Sequence, residues 1–316
     1  MPPEGFEPQP CLASPPDTSV RLCPASADPE GAADKVDIEC ALEGSCPASS
    51  VPSPVDALVV MAYNIERGLQ LDAQLAAFAD GTLPSPDVLL MSEADRGCAR
   101  TSGRNVAWEY AQALGMYHVY GVEFVELPRE GADITAPCEH GNAILSRYPI
   151  GNVRLVRHET NLSWYENESE PRLGGRMALL ADIAVGDRIV HVQSLHFESG
   201  VNDGPIRAAQ AAELAALGNA QPHPAIIGGD TNAGLYVLDL VNGTNNEATV
   251  DAFFDAGYID THASLAPQMR ATHPPGLILD IMFVKDRAVT DPAICPTAQC
   301  SGLSDHLPIW ATIQLE

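Results

Sequence analysis

The stretch Ser304-Asp305-His306-Leu307-Pro308-Ile309 closes a series of short polar motifs that extends back through most of the 316-residue chain. Nearly every motif follows an apolar, strand-like run and carries one or two acids, amides or histidines. Because such runs deliver their last side chains to the same edge of a sheet, these groups are expected to converge on one site. The other motifs, in chain order, are Met61-Ala62-Tyr63-Asn64-Ile65, Ser92-Glu93-Ala94-Asp95, Gly141-Asn142-Ala143-Ile144-Leu145-Ser146, Ser194-Leu195-His196, Gly228-Gly229-Asp230-Thr231-Asn232 and Leu279-Asp280-Ile281-Met282-Phe283-Val284.

Short apolar, often β-branched runs predict strands, and segments with apolar residues at helical spacing predict helices. The predicted strands are Leu58–Tyr63, Val88–Met91, Ala143–Leu145, Met177–Val185, Ile189–Leu195, Ala225–Ile227, Ile278–Val284 and Ile309–Ile313. The predicted helices are Asp72–Ala79, Asn105–Leu114, Ile206–Leu217 and Thr249–Ala256. Gly186-Asp187 predicts a tight turn joining two strands into a β-hairpin. This mixture over residues 56–316 indicates a single layered α/β or α+β domain.

Residues 1–55 differ from the rest of the chain in composition. They are rich in Pro, Ala, Ser and acidic residues and show no helical or strand period. A segment of this composition would be disordered by itself. Four cysteines lie in it, at Cys11, Cys23, Cys40 and Cys46. We therefore expect a small, cysteine-stapled N-terminal segment (1–55) ahead of the main domain (56–316).

The eight cysteines favour a disulfide framework and an exported protein. Their number is even, and none occurs as Cys-x-x-Cys, which disfavours zinc-ribbon and thioredoxin-like sites. Free buried thiols are the alternative. The expected bridges are Cys98 to Cys138 between neighbouring loops, Cys295 to Cys300 within a short loop, and two within the N-terminal segment. The first residues lack the basic and apolar regions of a signal peptide, so the protein is expected to be either intracellular or a mature secreted or periplasmic form to which Met1 was added. The cysteines favour the mature exported form.

The charge of the chain bears on its partners. Lys and Arg number 17 and Asp and Glu 42, which gives a formal net charge of −25. A polyanion is repelled by this field, so no stable, high-affinity binding of nucleic acid is expected. A nuclease is not excluded, because bound cations or a local basic patch reverse the field at a site. No apolar run reaches the ~18 residues needed to span a bilayer, so no transmembrane segment is predicted.

The order and spelling of the seven motifs resemble the endonuclease/exonuclease/phosphatase superfamily. This is the group of deoxyribonuclease I, abasic-site endonucleases, inositol phosphatases and sphingomyelinases. The resemblance extends from about Val59 to Ile313. It implies a four-layer α/β (α+β) sandwich, in which two packed mixed β-sheets are flanked by helices. It also implies metal-dependent hydrolysis of a phosphoric ester.

The resemblance implies that Asn64, Glu93 and Asp305 contact a divalent cation. Carboxylate and amide oxygens suit Mg²⁺, which binds one or two carboxylates and keeps several waters. Mg²⁺ is therefore the expected cofactor, with Mn²⁺ or Ca²⁺ as alternatives. Taken singly, Asn64 could instead form a turn and Glu93 a solvated strand end. Asp95 is expected to support the site or to pair with Arg96 or Arg100.

Asp230 and Asn232 follow the apolar run Ala225–Ile227 at a spacing of two, which places both side chains on one face of a strand. The preceding Gly228-Gly229 allows another backbone or a ligand to approach closely. The resemblance implies that Asp230 orients the attacking water or assists the leaving oxygen and that Asn232 holds the phosphate. The alternative is an Asx turn that ends the strand.

The resemblance identifies His306 as the general base and Asp305 as a cation contact. A histidine base needs a carboxylate on its other nitrogen, which fixes the tautomer and stabilises the imidazolium. Asp280 matches the family residue that supplies this contact, although Ile281 replaces the family's usual aromatic residue. Asp260 is the alternative partner. Alternatively, His306 could be a buried histidine satisfied by a backbone carbonyl.

His196 matches the histidine that, in the resembled family, binds the phosphate or protonates the leaving oxygen. Arg176 opens the preceding strand and could reach the same phosphate. Its alternative role is an ion pair with Glu170 or Asp182.

A secreted, acidic, disulfide-containing phosphodiesterase best fits a deoxyribonuclease-like enzyme with a phosphodiester substrate such as DNA. Phospholipid, sphingomyelin or sugar-phosphate hydrolysis is the alternative. Lipid hydrolysis would need an exposed aromatic tip, for which Trp164-Tyr165 is the candidate. A catalytically inactive binding module is the alternative of another class, and a missing ligand or base would mark it; none is missing. The sequence does not indicate an oligomeric state.

Overall fold

The computed structural model describes residues 3–12, 14, 16–23, 36–48, 50–128, 133–167, 169–244 and 247–316. The strands in these residues are β1 (Glu43–Ser45), β2 (Ala57–Arg67), β3 (Val88–Arg96), β4 (Tyr117–Glu126), β5 (Cys138–Ser146), β6 (Ile150–Arg157), β7 (Arg172–Gly174), β8 (Met177–Val185), β9 (Arg188–His196), β10 (Ala225–Tyr236), β11 (Ile259–Asp260), β12 (Leu277–Val284), β13 (Val289–Ile294) and β14 (Ile309–Gln314). The helices are α1 (Leu71–Ala79), α2 (Val106–Leu114), α3 (Gly204–Asn219), α4 (Val237–Asn242), α5 (Ala248–Asp255) and α6 (Thr297–Cys300).

All eight predicted strands and all four predicted helices are present. β2, β3 and β10 continue well past their apolar runs, to Arg67, Arg96 and Tyr236. The polar motif residues therefore lie within these strands rather than after them. The hairpin at Gly186-Asp187 is confirmed, since β8 and β9 pair antiparallel on either side of it.

The strands form two mixed sheets. The first has the order β1-β4-β5-β3-β2-β14-β13, with β7 paired to β4, and the second has the order β11-β12-β10-β9-β8-β6. β2 and β3 are parallel in the first sheet, and β9 and β10 are parallel in the second. Parallel neighbours have their carboxyl ends at the same edge of a sheet, which is how the polar motifs of each pair come together.

Side chains of β2 alternate between two cores, as the period of a strand requires. Val60 and Ala62 point into a core that is shared by both sheets. Met61 and Tyr63 point the other way, to a core that includes α1 and α2. On the outer face of the second sheet, α3 and α5 contribute to a third core. The layers are therefore helix, sheet, sheet and helix, and the four-layer α/β (α+β) sandwich is confirmed.

The cysteines in the structure are paired as Cys11–Cys46, Cys23–Cys40, Cys98–Cys138 and Cys295–Cys300. These pairs agree with the pairing expected from the sequence. The N-terminal segment also contributes a strand to the first sheet, because β1 pairs with β4. In the described parts of the chain, no helix has the length and apolarity that crossing a membrane requires.

The two glycines before Asp230, Gly228 and Gly229, lie in a closely packed part of the second sheet. Gly229 has φ = 143°, and a Cβ atom there would lie 2.1 Å from the carbonyl oxygen of Leu195 on β9. Only glycine fits this close approach without displacing the neighbouring backbone. In the same β9–β10 pair, Asp230 lies directly opposite His196.

Candidate active site

The structure brings four of the predicted site residues together from both sheets. The Asn64 amide on β2 donates to Glu93 Oε1 on β3 at 3.2 Å and to Asp230 Oδ2 on β10 at 3.0 Å. His196 Nε2, at the end of β9, lies 3.5 Å from Asp230 Oδ2 and 3.8 Å from Glu93 Oε1. Glu93, His196 and Asp230 each offer one ligand atom within 4.8 Å of the others. These residues form one side of a compact, largely buried polar site.

The backbone adopts unusual conformations at this site. Glu66, Arg67, Glu93 and Asn232 have φ values of 48°, 62°, 59° and 47°, and they are four of the eight non-glycine residues with positive φ in the described chain. Non-glycine residues rarely occupy this region, which costs of order 1–3 kcal/mol for each residue. Such conformations persist only where the surroundings hold them, and they are concentrated at functional sites.

Asp230 and Asn232 are joined by an Asx turn. The Asn232 backbone N–H donates to Asp230 Oδ1 at 2.8 Å, and Asn232 Nδ2 donates to the carbonyl oxygen of Phe197 at 3.1 Å. The Asx turn that the sequence analysis gave as the alternative to a site role for Asp230 and Asn232 is therefore present. It also leaves Asp230 Oδ2 facing His196 and Asn64, because the turn uses only the other carboxylate oxygen.

His306 lies on the other side of Asp230. Its Nδ1 is 2.7 Å from Asp280 Oδ2, and its Nε2 is 3.8 Å from Asp230 Oδ2. Burial by itself would lower the pKa of His306, but the carboxylates of Asp280 and Asp230 outweigh it and raise this pKa to about 10. Burial also raises the pKa of the Asp280 carboxyl. His306 Nδ1–H is placed to donate to the Asp280 carboxylate. The alternative partner Asp260 pairs with Arg270 instead.

The bend before β14 places the adjacent side chains of Asp305 and His306 in different surroundings. Ser304 Oγ donates to the Asn64 carbonyl at 2.8 Å and accepts the His306 N–H at 3.1 Å. The segment is thereby fastened to β2, with His306 buried and Asp305 exposed. In the described residues, Asp305 clusters with His273 and His306, whereas Glu93 clusters with His196 and Asp230.

Arg176 and Glu123 both contact the His196 imidazole. Arg176 Nη1 is 2.9 Å from both ring nitrogens of His196, and Glu123 Oε2 is 3.1 Å from Nδ1. Arg176 also donates to Ser199 at 3.1 Å. The surface ion pairs considered for Arg176 are not formed, since Glu170 binds Arg67 and Arg172 and Asp182 binds His191.

Two carboxyl groups of the site, Glu66 and Glu93, have pKa values shifted in opposite directions. Burial raises the pKa of the Glu66 carboxyl, and the nearby charges of Asp305 and Glu93 raise it further. Glu93 behaves differently: burial would raise its pKa, but the imidazoles of His140 and His196 and the Arg67 guanidinium hold it well below its usual value. Crowded carboxylates of this kind are stabilised by a cation, which offsets their mutual repulsion.

Sequence patterns did not reveal several residues of the site. Glu123 lies in the middle of β4 and carries no motif; burial would raise its pKa, but His196 and Arg176 lower it to about 2. Glu66 is two residues after Asn64, and its position in the strand gave no reason to single it out. The Ser304 hydroxyl fastens the Asp305–His306 segment to β2, a role that its position in the sequence motif does not indicate. A local sequence pattern cannot show which charge a buried carboxylate will meet in the folded chain.

Two further sequence expectations concern Asp95 and Trp164. Asp95 pairs with Arg100, at 2.7 Å, and with His140 at 3.1 Å, so the pair with Arg100 is the one formed. The Trp164 ring is directed inward rather than forming an exposed tip. Its Nε1 donates to Glu198 at 2.8 Å, and the Arg176 guanidinium lies 5.2 Å from its ring centroid.

The donor set fits a hard divalent cation. Glu93, Asp230 and Asp305 offer carboxylate oxygens that lie within 4.8 Å of other ligand atoms. The pKa of the nearby Glu66 carboxyl is raised by burial first and then by the charge of Asp305. No described cysteine is free to ligate, because all are in disulfides. Oxygen-rich sets of this kind suit Mg²⁺, Mn²⁺ or Ca²⁺.

Comparison with known proteins agrees with this geometry. The model of the endonuclease/exonuclease/phosphatase family matches residues 61–306. The uncharacterized protein YbhP of Escherichia coli K12 is 31% identical over 178 residues, which cover 56% of this chain and 63% of YbhP.

Two solved structures show the same fold. An endonuclease/exonuclease/phosphatase from Beutenbergia cavernae has a TM-score of 0.62 at 20% identity and covers 83% of this chain and 72% of its own. The human Nocturnin catalytic domain has a TM-score of 0.54 at 16% identity and covers 83% of this chain and 94% of its own. Because the family model matches residues 61–306, from the first motif into the last, the chain belongs to the endonuclease/exonuclease/phosphatase family.

Proposed function

We propose that this protein is a divalent-metal-dependent phosphodiester hydrolase in which His306, held by Asp280, activates the attacking water. Members of the family are generally phosphoric ester hydrolases. The single observation that carries the proposal is the 2.7 Å contact between His306 Nδ1 and Asp280 Oδ2, with the other ring nitrogen directed towards Asp230. A general base requires this arrangement, in which one nitrogen is fixed by a carboxylate and the other is available for a proton.

The roles of the remaining residues follow from their contacts. His196, backed by Arg176 and Glu123, is suited to bind a phosphoryl oxygen or to protonate the leaving oxygen. Asp230 lies between the two histidines, 3.5 Å from one and 3.8 Å from the other, and is suited to orient the water. Asn232 is the proposed phosphate contact, and Asn64, Glu93 and Asp305 are the proposed cation contacts.

When bound, Mg²⁺ supplies positive charge that stabilises the developing negative charge on the phosphoryl oxygens. The site carboxylates also explain why such charge is needed. Burial alone would lower the pKa of His306, but the carboxylates of Asp280 and Asp230 raise it, and a raised pKa disfavours the neutral imidazole that a general base needs. A cation held by Asn64, Glu93 and Asp305 would lower this pKa and favour the neutral imidazole.

For the substrate, we propose a deoxyribonuclease-like nuclease that acts in an oxidising compartment outside the cell or in the periplasm. The four disulfides support the location, since such bridges persist where thiols are not kept reduced. The acidity of the chain limits the affinity for DNA. The arginines near the site, Arg67, Arg100, Arg172 and Arg176, are all paired with acidic side chains, so they add little net positive charge.

A second candidate substrate is a phosphodiester that carries an apolar group, such as a phospholipid. A cavity of about 360 Å³ borders Asp305, and its lining includes Ala271, Pro274, Gly276 and Leu307. A cavity with these side chains, next to the proposed site of attack, is suited to receive an apolar ester group. The cavity favours this candidate over a sugar phosphate, which is polar throughout.

The test is a hydrolysis panel with DNA, RNA, sphingomyelin, an inositol phosphate and bis(4-nitrophenyl) phosphate. Each substrate is assayed after exhaustive chelation and again after Mg²⁺ or Mn²⁺ is restored. We expect activity only with metal restored, on DNA if the nuclease assignment is correct and on sphingomyelin if the apolar cavity decides the substrate. Full activity in chelator would contradict the proposal, as would no hydrolysis of any substrate with metal present.

A further inference from the structure

We propose that His273, Asp305 and His306 form a second cation site, which binds a borderline transition metal such as Zn²⁺ and switches hydrolysis off. Each of the three residues offers one ligand atom within 4.8 Å of the others. Two imidazoles and one carboxylate with an open position form a familiar zinc-binding set. The inhibitory part of this inference rests on the proposed function; the binding part does not.

Both imidazoles are oriented as metal ligands usually are. His306 Nδ1 is 2.7 Å from Asp280 Oδ2, and His273 Nδ1 is 2.6 Å from the carbonyl oxygen of Pro274. A ligating histidine typically donates its other ring N–H to a carboxylate or a backbone carbonyl, which leaves the remaining nitrogen with a lone pair for the metal. The two ring centroids are 5.0 Å apart.

The backbone around His273 is well defined, so the site does not depend on a loosely held loop. The His273 N–H donates to the Leu277 carbonyl at 3.1 Å, and the Leu277 N–H donates back to the His273 carbonyl at 2.9 Å. The Leu307 N–H donates to the Thr272 carbonyl at 2.7 Å. These bonds join the segment that carries His273 to the one that carries Asp305 and His306.

The site is accessible to an ion from solution. Asp305 is exposed and His273 is half-buried. Both border the cavity of about 360 Å³, which leaves room for a water as a further ligand. A zinc ion at this site would meet two imidazoles and one carboxylate, whereas the cluster at Glu93 offers two carboxylates and one imidazole.

Donor type separates the two cations. Mg²⁺ prefers oxygen ligands, whereas imidazole suits Zn²⁺, Cu²⁺ and Ni²⁺. These transition metals also bind sites of mixed nitrogen and oxygen ligands more tightly than Mg²⁺ does. A zinc ion on His306 occupies the lone pair that would accept the proton of the attacking water. The Mg²⁺-loaded enzyme would then be inhibited by zinc, and His273 would set the sensitivity because it belongs to this site alone.

The test compares the full-length wild type with His273→Gln and His223→Gln, all saturated with Mg²⁺. His223 is a half-buried loop histidine that borders a different cavity, so it controls for the loss of any histidine. Titration calorimetry with ZnCl₂ measures affinity. The zinc inhibition constant for bis(4-nitrophenyl) phosphate is measured relative to each variant's own zinc-free rate. We expect both the dissociation constant and the inhibition constant to rise at least tenfold in His273→Gln, and neither to change in His223→Gln.

Unchanged zinc affinity in His273→Gln overturns the inference, and so does a wild type that binds no zinc in the presence of Mg²⁺. Zinc binding that depends on His273 but leaves the rate unaffected overturns the switch. If no variant hydrolyses any substrate even without zinc, the proposed function fails. The calorimetric comparison still decides whether the zinc site exists.

Discussion

Each histidine of the site is oriented by one buried carboxylate, Glu123 for His196 and Asp280 for His306, at 3.1 Å and 2.7 Å. Asp230 lies between the two imidazoles and Asn64 links it to Glu93. The same few side chains therefore set the charge, the tautomer and the geometry of the site. A change at any one of them is expected to alter chemistry without removing much apolar packing.

The first prediction concerns Glu93. Glu93→Gln keeps the shape of the side chain but removes a carboxylate that we assign to the cation. We expect the Mg²⁺ concentration for half-maximal rate to rise by about tenfold or more, with the rate partly restored at high Mg²⁺. The measurement is a Mg²⁺ titration of the hydrolysis rate.

Glu109→Gln is the matched control for this titration, because Glu109 pairs with Arg104 on the surface of α2. It should titrate like the wild type. A Glu93→Gln variant with an unchanged Mg²⁺ requirement would remove Glu93 from the cation site.

At the scale of secondary-structure elements, two disulfides fix segments that lead into the site. The Cys98–Cys138 disulfide joins the loop after β3 to the start of β5 and closes a loop with a sequence separation of 40. Cys295–Cys300 closes a loop with a separation of only 5, before Ser304. A disulfide stabilises mainly by restricting the unfolded chain, and longer loops gain more.

We therefore predict that replacing Cys98 and Cys138 together with alanine lowers the free energy of unfolding by about 4 kcal/mol, whereas replacing Cys295 and Cys300 lowers it by about 2 kcal/mol. Denaturant unfolding of the two double variants against the wild type measures the difference. Equal losses, or a larger loss for the short loop, would contradict this ordering.

The sequence predicted strands where apolar residues dominate and missed them where buried residues are polar. β4 contains three buried polar residues, His118, Glu123 and Glu126. Because these interrupt its apolar pattern, the sequence did not predict a strand there. β13 contains Asp291-Pro292, which signals a turn; proline is tolerated there because β13 is at the edge of the sheet and its pairing is shifted.

The same limit applies to the site. Asp280 could be matched to His306 because each belongs to a motif. Glu123 could not be matched to His196, since their contact joins β4 in the first sheet to β9 in the second. Only the packing of the two sheets makes this carboxylate an ion-pair partner rather than a solvated strand residue.

The charge of the whole molecule decides how it meets an anionic substrate. At −25, the protein repels a polyanion over about 30 Å at 10 mM salt but over only about 8 Å at 150 mM. We predict that kcat/KM for DNA rises across this range at saturating Mg²⁺, while kcat/KM for bis(4-nitrophenyl) phosphate changes little. A steep fall with salt, as counterion release from a basic surface produces, would contradict the account.

The measurement that tests the central claim most directly is the turnover of His306→Ala on bis(4-nitrophenyl) phosphate at saturating Mg²⁺. His262→Ala is the control, because His262 is a buried histidine whose Nε2 lies 3.1 Å from the Ala293 and Trp310 carbonyl oxygens. We predict that His306→Ala lowers kcat by about 10²–10⁴-fold with the fold and Mg²⁺ binding intact. His262→Ala should lower thermal stability and spare kcat. Near-wild-type turnover of folded His306→Ala would contradict the assignment of His306 as the general base.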